Sequence, residues 1–127
     1  MRTDEAALAI RDRARRAGHA SVVLELTGDP GCARTVAAAC EALGPANVVG
    51  VAMPADDRAD DVRELALRTG LDYREEPVQP VIDGFLANLS LTGEVATALR
   101  ARVRAVVLAA IAEQEGHLVL DPHDLSL

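Results

Sequence analysis

The chain has 127 residues, half of them hydrophobic, with 13 arginines, no lysine and a formal net charge of −7. This length predicts a single domain over residues 1–127, and a core of small side chains with one Phe, one Tyr and no Trp leaves apolar helix surface for a partner subunit. The acidic balance excludes a general nucleic-acid-binding surface, and the lack of a signal peptide or a long apolar span predicts a cytoplasmic protein with no membrane attachment.

Short apolar runs alternate with helical runs along the chain, and glycine, proline and capping residues separate them. The predicted helices are 3–18, 30–43, 56–69, 79–89 and 94–115, and the predicted strands are 21–26, 47–53, 71–75 and 117–120. Because apolar strands of this length buried between helices are typical of parallel sheets, the pattern predicts an α/β fold with helices on both faces of the sheet. The ligand crevice of such a sheet lies at the carboxyl ends of the strands.

The segment Thr27-Gly28-Asp29-Pro30-Gly31-Cys32 connects the first strand to the second helix. A glycine-containing turn at this place is typical of loops that hold a phosphate on backbone N–H groups. Asp29 followed by Pro30, however, is the pattern of a helix N-cap and first-turn proline. A carboxylate at that position takes up the free N–H donors and repels phosphate. The sequence therefore predicts a phosphate-type loop that is filled by its own acid.

Two arginine sets and two cysteines have structural and functional interpretations. The arginines Arg11, Arg13, Arg15 and Arg16, and likewise Arg100, Arg102 and Arg104, fall in helical runs, which favours a solvated or partner-facing stripe. Cys32 and Cys40 share one predicted helix and fit no zinc or redox spacing, so we interpret both as small buried hydrophobes. Cys32, at a helix N-terminus, is also a candidate for a thiol of lowered pKa.

Five segments in order resemble NAD synthetases, which are ATP-pyrophosphatases of the adenine-nucleotide α-hydrolase-like group. They are residues 42–54, 61–71, 76–86 (with its Pro-x-x-Pro pattern and Phe85), 99–104 (Leu-Arg-Ala-Arg-Val-Arg) and 117–120. The resemblance implies a four-stranded sheet in the order 3-2-1-4 with helices on both faces, in a domain that lacks the family's C-terminal part. It also implies ATP-driven amidation of deamido-NAD for an intact member, and a bacterial role in NAD biosynthesis.

The phosphate loop departs from the family's SGGxDS pattern. Asp29 stands at the second glycine, Gly31 at the metal-binding acid and Cys32 at the final serine, while Gly28 and the Thr27 hydroxyl are retained. Magnesium and preorganised donors supply much of the charge stabilisation in such chemistry. These departures predict a pseudoenzyme with no catalytic residues, no metal ligands and no required cofactor.

Three functions follow from this interpretation. The first is a non-catalytic homodimer or interaction module, since the family's dimer uses helices equivalent to 79–89 and 94–115. The expected interface residues are Phe85, Leu86, Leu89, Val103, Val106, Val107 and Leu108. The alternative for these residues is packing on their own sheet. Another protein chain is also a possible partner.

The second function is a regulator that binds AMP, ATP or NAD in a retained adenine pocket. The expected pocket residues are Leu26, Thr27, Gly28, Val51, Met53 and Arg102. The third is an enzyme, either a residual ammonia-dependent NAD synthetase or a repurposed activity with Cys32 as nucleophile. The residues expected near the crevice for metal or acid–base chemistry are His117, Asp121, His123 and Asp124.

Overall fold

The computed structural model describes residues 3–53 and 59–121 of the chain. The helices are α1 (Thr3–Arg16), α2 (Pro30–Leu43), α3 (Ala59–Thr69), α4 (Gln79–Asn88) and α5 (Gly93–Glu115). The strands are β1 (Val22–Leu26), β2 (Val48–Ala52), β3 (Asp72–Glu75) and β4 (Leu118–Val119), and a short 3₁₀ turn covers Pro45–Asn47. Each predicted helix and strand is present, and residues 56–58 of the third predicted helix lie outside the described residues.

The strands form one parallel sheet in the order β3-β2-β1-β4, which confirms the predicted fold class. β1 pairs with β2 over its whole length, from Val22 opposite Val48 to Leu26 opposite Ala52. Because all four strands are parallel, their carboxyl ends meet at one edge of the sheet, where the loop after β1 lies. Their amino ends meet at the opposite edge.

One face of the sheet is covered by α1, α2 and α3, and we call it the three-helix face. Alternate strand residues such as Leu24 point to this face, because successive side chains of a strand point to opposite sides. Ile10 of α1 and Val36 of α2 are fully buried against Leu24 and its neighbours in one apolar cluster. The three helices therefore cover this side of β1 and β2 completely.

The other face is covered by α4 and α5, and we call it the two-helix face. Its core is a smaller cluster of buried residues, namely Val23, Val49, Val51, Met53, Val78, Ile82, Val103, Leu108 and Ala112. Only Ile82 is buried among the residues of α4. Val81, Phe85 and Leu89 recur every four residues on the exposed side of that helix and its C-cap. This face thus leaves a row of large apolar side chains in solvent.

Within the described residues, the observed boundaries differ from the predicted ones by at most two residues, and caps explain two of these differences. α5 begins at Gly93 because the Thr92 hydroxyl accepts a hydrogen bond from the Val95 N–H at 3.4 Å. α1 ends before Gly18, whose φ of 77° is left-handed. β4 has two residues instead of four, although the Leu120 N–H still donates to the Val23 carbonyl oxygen at 2.9 Å.

In the part of the chain that the structure describes, no helix combines the length and the apolar character needed to cross a bilayer.

Candidate functional site

The loop between β1 and α2 holds the Asp29 side chain against the first turn of α2. Asp29 is the N-cap residue, with φ −81° and ψ 161°, and Pro30 occupies the first helical position. The backbone N–H of Cys32 donates to Asp29 Oδ1 at 2.9 Å, and Thr27 Oγ1 donates to Asp29 Oδ2 at 2.5 Å. Gly28 turns the chain with a φ of 83°. The N-cap that the sequence predicted is confirmed.

This arrangement places a negative charge where the loop would receive a phosphate. The positive end of the α2 dipole and a free first-turn N–H are the features that bind an anion at a helix start, and the Asp29 carboxylate occupies both. Gly31 adds no side chain, and a Cβ built there would lie 3.2 Å from Asp29 Oδ1. The loop is therefore closed by an internal cap, with no carboxylate at the position where the family pattern has its metal-binding acid.

A cavity of about 240 Å³ lies beside the loop, between α2 and α3. Its lining residues are Gly28, Asp29, Ala33, Asp61, Glu64, Leu65 and Arg68. Three carboxylates against one guanidinium make this surface unfavourable for a phosphate group. No three His, Cys, Asp or Glu side chains within residues 3–53 and 59–121 stand close enough together to hold a metal ion.

The residues expected to line an adenine pocket are spread over both faces of the sheet. Leu26 is buried on the three-helix face, where its Cδ1 lies 2.8 Å from the position of a Cβ on Gly50. Val51 and Met53 are buried on the two-helix face. Thr27 and Arg102 are exposed and Gly28 is half-buried. Of these, only Gly28 lines the 240 Å³ cavity; the adenine pocket itself stays a prediction.

Arg104 of α5 reaches the central strand, a contact that was not predicted from the sequence. Its Nε lies 3.3 Å from Glu25 Oε2 of β1, an ion-pair distance. Burial raises the pKa of the Glu25 carboxyl, and the positive charge of Arg104 opposes part of that rise. Glu25 is the single acid in an otherwise apolar strand. This pattern was the signal in the sequence that a basic side chain pairs with it.

Both cysteines are free, and each is at least partly covered. Cys32 is buried, with its Sγ 3.7 Å from the carbonyl oxygen of Glu25. Cys40 is half-buried, and burial raises the pKa of its thiol. A buried thiol is shielded from reagents. The placement of Cys32 agrees with the interpretation as a small buried hydrophobe.

His117 lies at the amino end of β4 and so faces away from the loop after β1. The sequence had grouped it with Asp121, His123 and Asp124 near the crevice, but a parallel strand carries its first residue to the opposite edge of the sheet. His123 and Asp124 lie outside the described residues. Sequence reasoning missed the actual neighbours of His117: the Ser21 Oγ at 2.6 Å from its Nδ1 and the Glu115 Oε1 at 3.0 Å from its Nε2.

The residues expected at a dimer interface divide into two groups. Phe85, Leu89 and Val106 are 45%, 48% and 66% exposed, and Leu86 and Val107 are half-buried. Val103 and Leu108 are instead buried in the core of the two-helix face. The exposed group, together with Val81 and Val95, forms what we call the α4–α5 apolar patch.

Comparisons with a family model and with curated relatives point to the same family. The family model described as NAD synthase matches residues 3–126. The NH(3)-dependent NAD(+) synthetase of Chlorobium phaeobacteroides is 32% identical over 87% of this chain and 42% of the relative. The glutamine-dependent NAD(+) synthetase of Acinetobacter baylyi is 31% identical over 89% of this chain and 23% of the relative. The chain thus spans less than half the length of these curated relatives.

Solved structures show the same likeness. An NH3-dependent NAD synthetase from Campylobacter jejuni, in complex with a nitrate ion, superposes with a TM-score of 0.84 at 23% identity, over 92% of this chain and 53% of that one. A glutamine-dependent NAD+ synthetase from Acinetobacter baumannii, in complex with ADP, superposes with a TM-score of 0.83 at 28% identity, over 90% and 23%. The similarity extends over nearly all of the present fold.

Proposed function

This chain belongs to the NAD synthase family, and from that premise we propose that it does not catalyse the synthetase reaction and acts as a homodimeric interaction module. The proposal rests on one observation, the Asp29 carboxylate bound at the start of α2. The N–H of Cys32 and the hydroxyl of Thr27 both donate to it. The resemblance to the family's phosphate loop implies that this is the place where an intact member would hold the phosphates of ATP.

The missing charge stabilisation supports the loss of catalysis. Removing one preorganised donor or cation from an active site typically lowers kcat by roughly 100-fold to 1,000-fold. Here Gly31 stands at the position of the metal-binding acid, Asp29 adds a negative charge, and the chain has no lysine to contact a phosphate. Because these changes act on the same developing charge, their combined cost removes most of the rate enhancement of a synthetase.

The activity assay combines the purified protein with deamido-NAD, ATP, Mg²⁺ and ammonium, and measures formation of NAD and pyrophosphate. We expect no product above the rate without protein. The matched variant carries Asp29→Gly and Gly31→Asp together, because a side chain at residue 31 would otherwise lie 3.2 Å from Asp29 Oδ1. We expect this variant, in contrast to the unaltered protein, to gain measurable Mg²⁺-dependent ATP binding. NAD formation by the unaltered protein would refute the proposal.

The α4–α5 apolar patch supports self-association. Its five large apolar side chains lie on adjacent helices, and exposed patches of this kind mark protein–protein contacts in other proteins. The two helices also correspond to those that the family resemblance assigns to a dimer interface. A C₂ dimer would pair this patch with itself, which gives one self-complementary contact.

Light scattering on eluted chromatography peaks tests the dimer. We expect a mass near twice 13.4 kDa at micromolar concentration, and a monomer for the double variant Phe85→Ser, Val106→Ser. Leu67→Ser is the matched control, because Leu67 is 85% exposed on the three-helix side of the molecule. A clean monomer for the unaltered protein removes the dimer from the proposal and leaves association with a different chain.

A second candidate function, an adenine-nucleotide-binding regulator, is favoured by the ADP named for the A. baumannii structure at 28% identity. Calorimetry with adenosine, AMP and ATP tests it. If Asp29 repels phosphates, adenosine and AMP bind more tightly than ATP, and Asp29→Gly reverses that order. Tighter binding of ATP than of AMP by the unaltered protein contradicts our interpretation of the loop, and no binding of any of the three removes this candidate.

A further inference from the structure

Ser21 and His117 lie side by side at the amino ends of β1 and β4. The two strands pair in register from Val22 opposite Leu118, so the residues just before them are neighbours across the sheet. The Leu118 N–H donates to the Ser21 carbonyl oxygen at 3.0 Å, which fixes the serine backbone. Gly116 caps α5 with a φ of 78°, and the His117 N–H donates a hydrogen bond to the Ala112 carbonyl oxygen at 3.0 Å. Both side chains therefore start from well-defined backbone positions.

The hydrogen-bond roles of the His117 ring follow from its two partners. Glu115 Oε1 lies 3.0 Å from Nε2, and an ionised carboxylate only accepts hydrogen bonds. Nε2 therefore carries the proton of the neutral ring, and Nδ1 holds a lone pair. The Ser21 hydroxyl, 2.6 Å from Nδ1, then donates to that lone pair. The Gly116 carbonyl oxygen is a more distant alternative acceptor at 3.5 Å.

Glu115 is itself held in place by Arg74 of β3. Both terminal nitrogens of the guanidinium donate to the two carboxylate oxygens, Nη2 to Oε1 at 2.8 Å and Nη1 to Oε2. Hydrogen bonds from Arg74, and then from His117, lower the pKa of Glu115 to about 2. The carboxylate consequently stays ionised at neutral pH, which preserves the His117 tautomer described above. Asp72 holds the same guanidinium from its other side at 3.0 Å.

A nucleophile bonded to a base, with the base oriented by a third group, is the arrangement that activates serine in acyl-transfer enzymes. We propose that Ser21 is an activated nucleophile toward small activated esters, with His117 as its general base and Glu115 as the positioning residue. Ser21 is partly exposed, as is His117, with 11% of its side chain accessible. The serine oxygen is thus reachable from solvent, while the base behind it is held in place by its neighbours.

The reaction is acyl transfer. Ser21 Oγ forms a bond to the ester carbonyl carbon as its proton moves to His117 Nδ1, and the bond from that carbon to the alcohol oxygen breaks. The leaving alcohol takes the proton from His117, which leaves an acyl group on Ser21. Water then attacks the acyl carbon and passes a proton to His117 Nδ1. The bond from that carbon to Ser21 Oγ breaks, the acid leaves, and Ser21 Oγ takes the proton from His117.

This site is separate from the loop that carries the proposed function. Ser21 precedes β1 and Thr27 follows it, so about six residues of extended chain, roughly 20 Å, divide the two. Neither Asp29 nor the α4–α5 apolar patch takes part in it. Failure of one proposal therefore leaves the other standing.

Fluorophosphonate labelling of the full chain tests the proposal, because the Ser21 oxygen displaces fluoride and the new phosphorus–oxygen bond is stable. Trypsin cleavage after arginine places Ser21 in peptide 17–34 and Ser90 in peptide 75–100, so mass spectrometry distinguishes the two serines. Ser90 is exposed and serves as the internal control. We expect Ser21 to be labelled about 100-fold faster than Ser90, the lower end of general-base assistance.

Two variants separate activation from a structural role. His117→Gln removes the base, and we expect the Ser21 labelling rate to fall to that of Ser90. Glu115→Gln no longer fixes the tautomer, and we expect a loss of at least about tenfold. Circular dichroism checks that each variant folds, and the comparison of Ser21 with Ser90 in the unaltered protein requires no variant. Equal labelling of the two serines, or an unchanged rate in a folded His117→Gln variant, would overturn the proposal.

Discussion

The two faces of the sheet are stabilised in different ways. On the three-helix face, Ile10, Leu24 and Val36 are fully buried in a continuous apolar cluster. The two-helix face has a smaller buried cluster, and its long helix is joined to the strands by two ion pairs, between Arg104 and Glu25 and between Glu115 and Arg74. Apolar packing dominates the three-helix face, where one ion pair also joins α3 to β3, between Arg63 Nη2 and Glu75 Oε1 at 2.7 Å. On the two-helix face the buried core is smaller, and two ion pairs supplement it.

This difference indicates which surface of the molecule is available to bind a partner. Each of α1 and α3 leaves one large apolar side chain in solvent, Leu8 and Leu67 respectively, whereas α4 and α5 expose the whole α4–α5 apolar patch. Because small side chains bury little area each, the contact of α4 and α5 with the sheet does not cover every large apolar side chain on these two helices. Substitutions in the core of the three-helix face should therefore lower the free energy of unfolding. Substitutions in the α4–α5 apolar patch should change association, and a substitution at Glu115 should change the pH dependence of stability.

The largest effect is expected at the centre of the three-helix face. Ile10→Ala removes fully buried methyl and methylene groups and should lower the free energy of unfolding by about 3 kcal/mol, within the usual range for such truncations. Urea unfolding followed by circular dichroism measures it. Leu67→Ala, at a residue that is 85% exposed, should change the same quantity by less than about 0.5 kcal/mol. Similar losses for both variants would contradict the difference in packing.

A second test adds volume to the same face. Gly50→Ala places a Cβ 2.8 Å from Leu26 Cδ1, and overpacking of this kind costs about 1–3 kcal/mol. Gly84→Ala is the matched control within α4, where a Cβ meets nothing within 4 Å. It should raise stability by roughly 0.5–1 kcal/mol, because alanine is the better helix former. Thermal and urea unfolding of the pair should therefore move in opposite directions.

A smaller effect is expected at the cap of α2. Asp29→Ala removes the acceptor for the Cys32 N–H and should cost about 1 kcal/mol of unfolding free energy. The same substitution removes the charge that repels phosphate, so weak inorganic phosphate binding should appear in a calorimetric titration. Asp83→Ala, at an exposed acid on α4, should produce neither change. A stabilised Asp29→Ala variant would show that the carboxylate serves another purpose.

The smallest effect is the part of the pH dependence of stability that comes from Glu115, beside that of Glu75, whose pKa is lowered by hydrogen bonds from Tyr73 and Arg63. The folded pKa of Glu115 is lowered to about 2, so its ion pair stabilises the fold above the usual pKa near 4.5, and this contribution is lost as pH falls toward 2. Unfolding free energy measured between pH 5 and pH 2 should fall more steeply for the unaltered protein than for Glu115→Gln. Ile10→Ala should keep the steep pH dependence, because no titrating group is removed. Parallel curves for Glu115→Gln and the unaltered protein would contradict the role of this pair.

The elements that were predicted correctly are those specified by local sequence. The apolar strands, the helix bounds at Pro30 and Leu43 and the N-cap at Asp29 all follow from neighbouring residues. The 3₁₀ turn at Pro45–Asn47 was missed because Pro and Asn after glycine are equally typical of an irregular turn.

Side-chain pairs between residues far apart in the chain could not be predicted from local sequence. Ser21 and His117 are 96 residues apart in the chain, and Arg74 and Glu115 are 41 apart. Their meeting depends on the register of β1 with β4 and on the position of α5 across the sheet. The ion pair between Arg104 and Glu25 was not predicted for the same reason, since an arginine at every second position of a helix does not reveal which one faces the strands.

The aspartate that caps α2 also has a genetic consequence. Aspartate codons and two of the glycine codons differ at their second base alone, so one nucleotide substitution is enough to remove the carboxylate from the loop. A library made by error-prone copying therefore reaches the uncapped loop in a single mutational step. Selection for nucleotide binding from such a library would measure how many substitutions separate this chain from a variant that binds ATP.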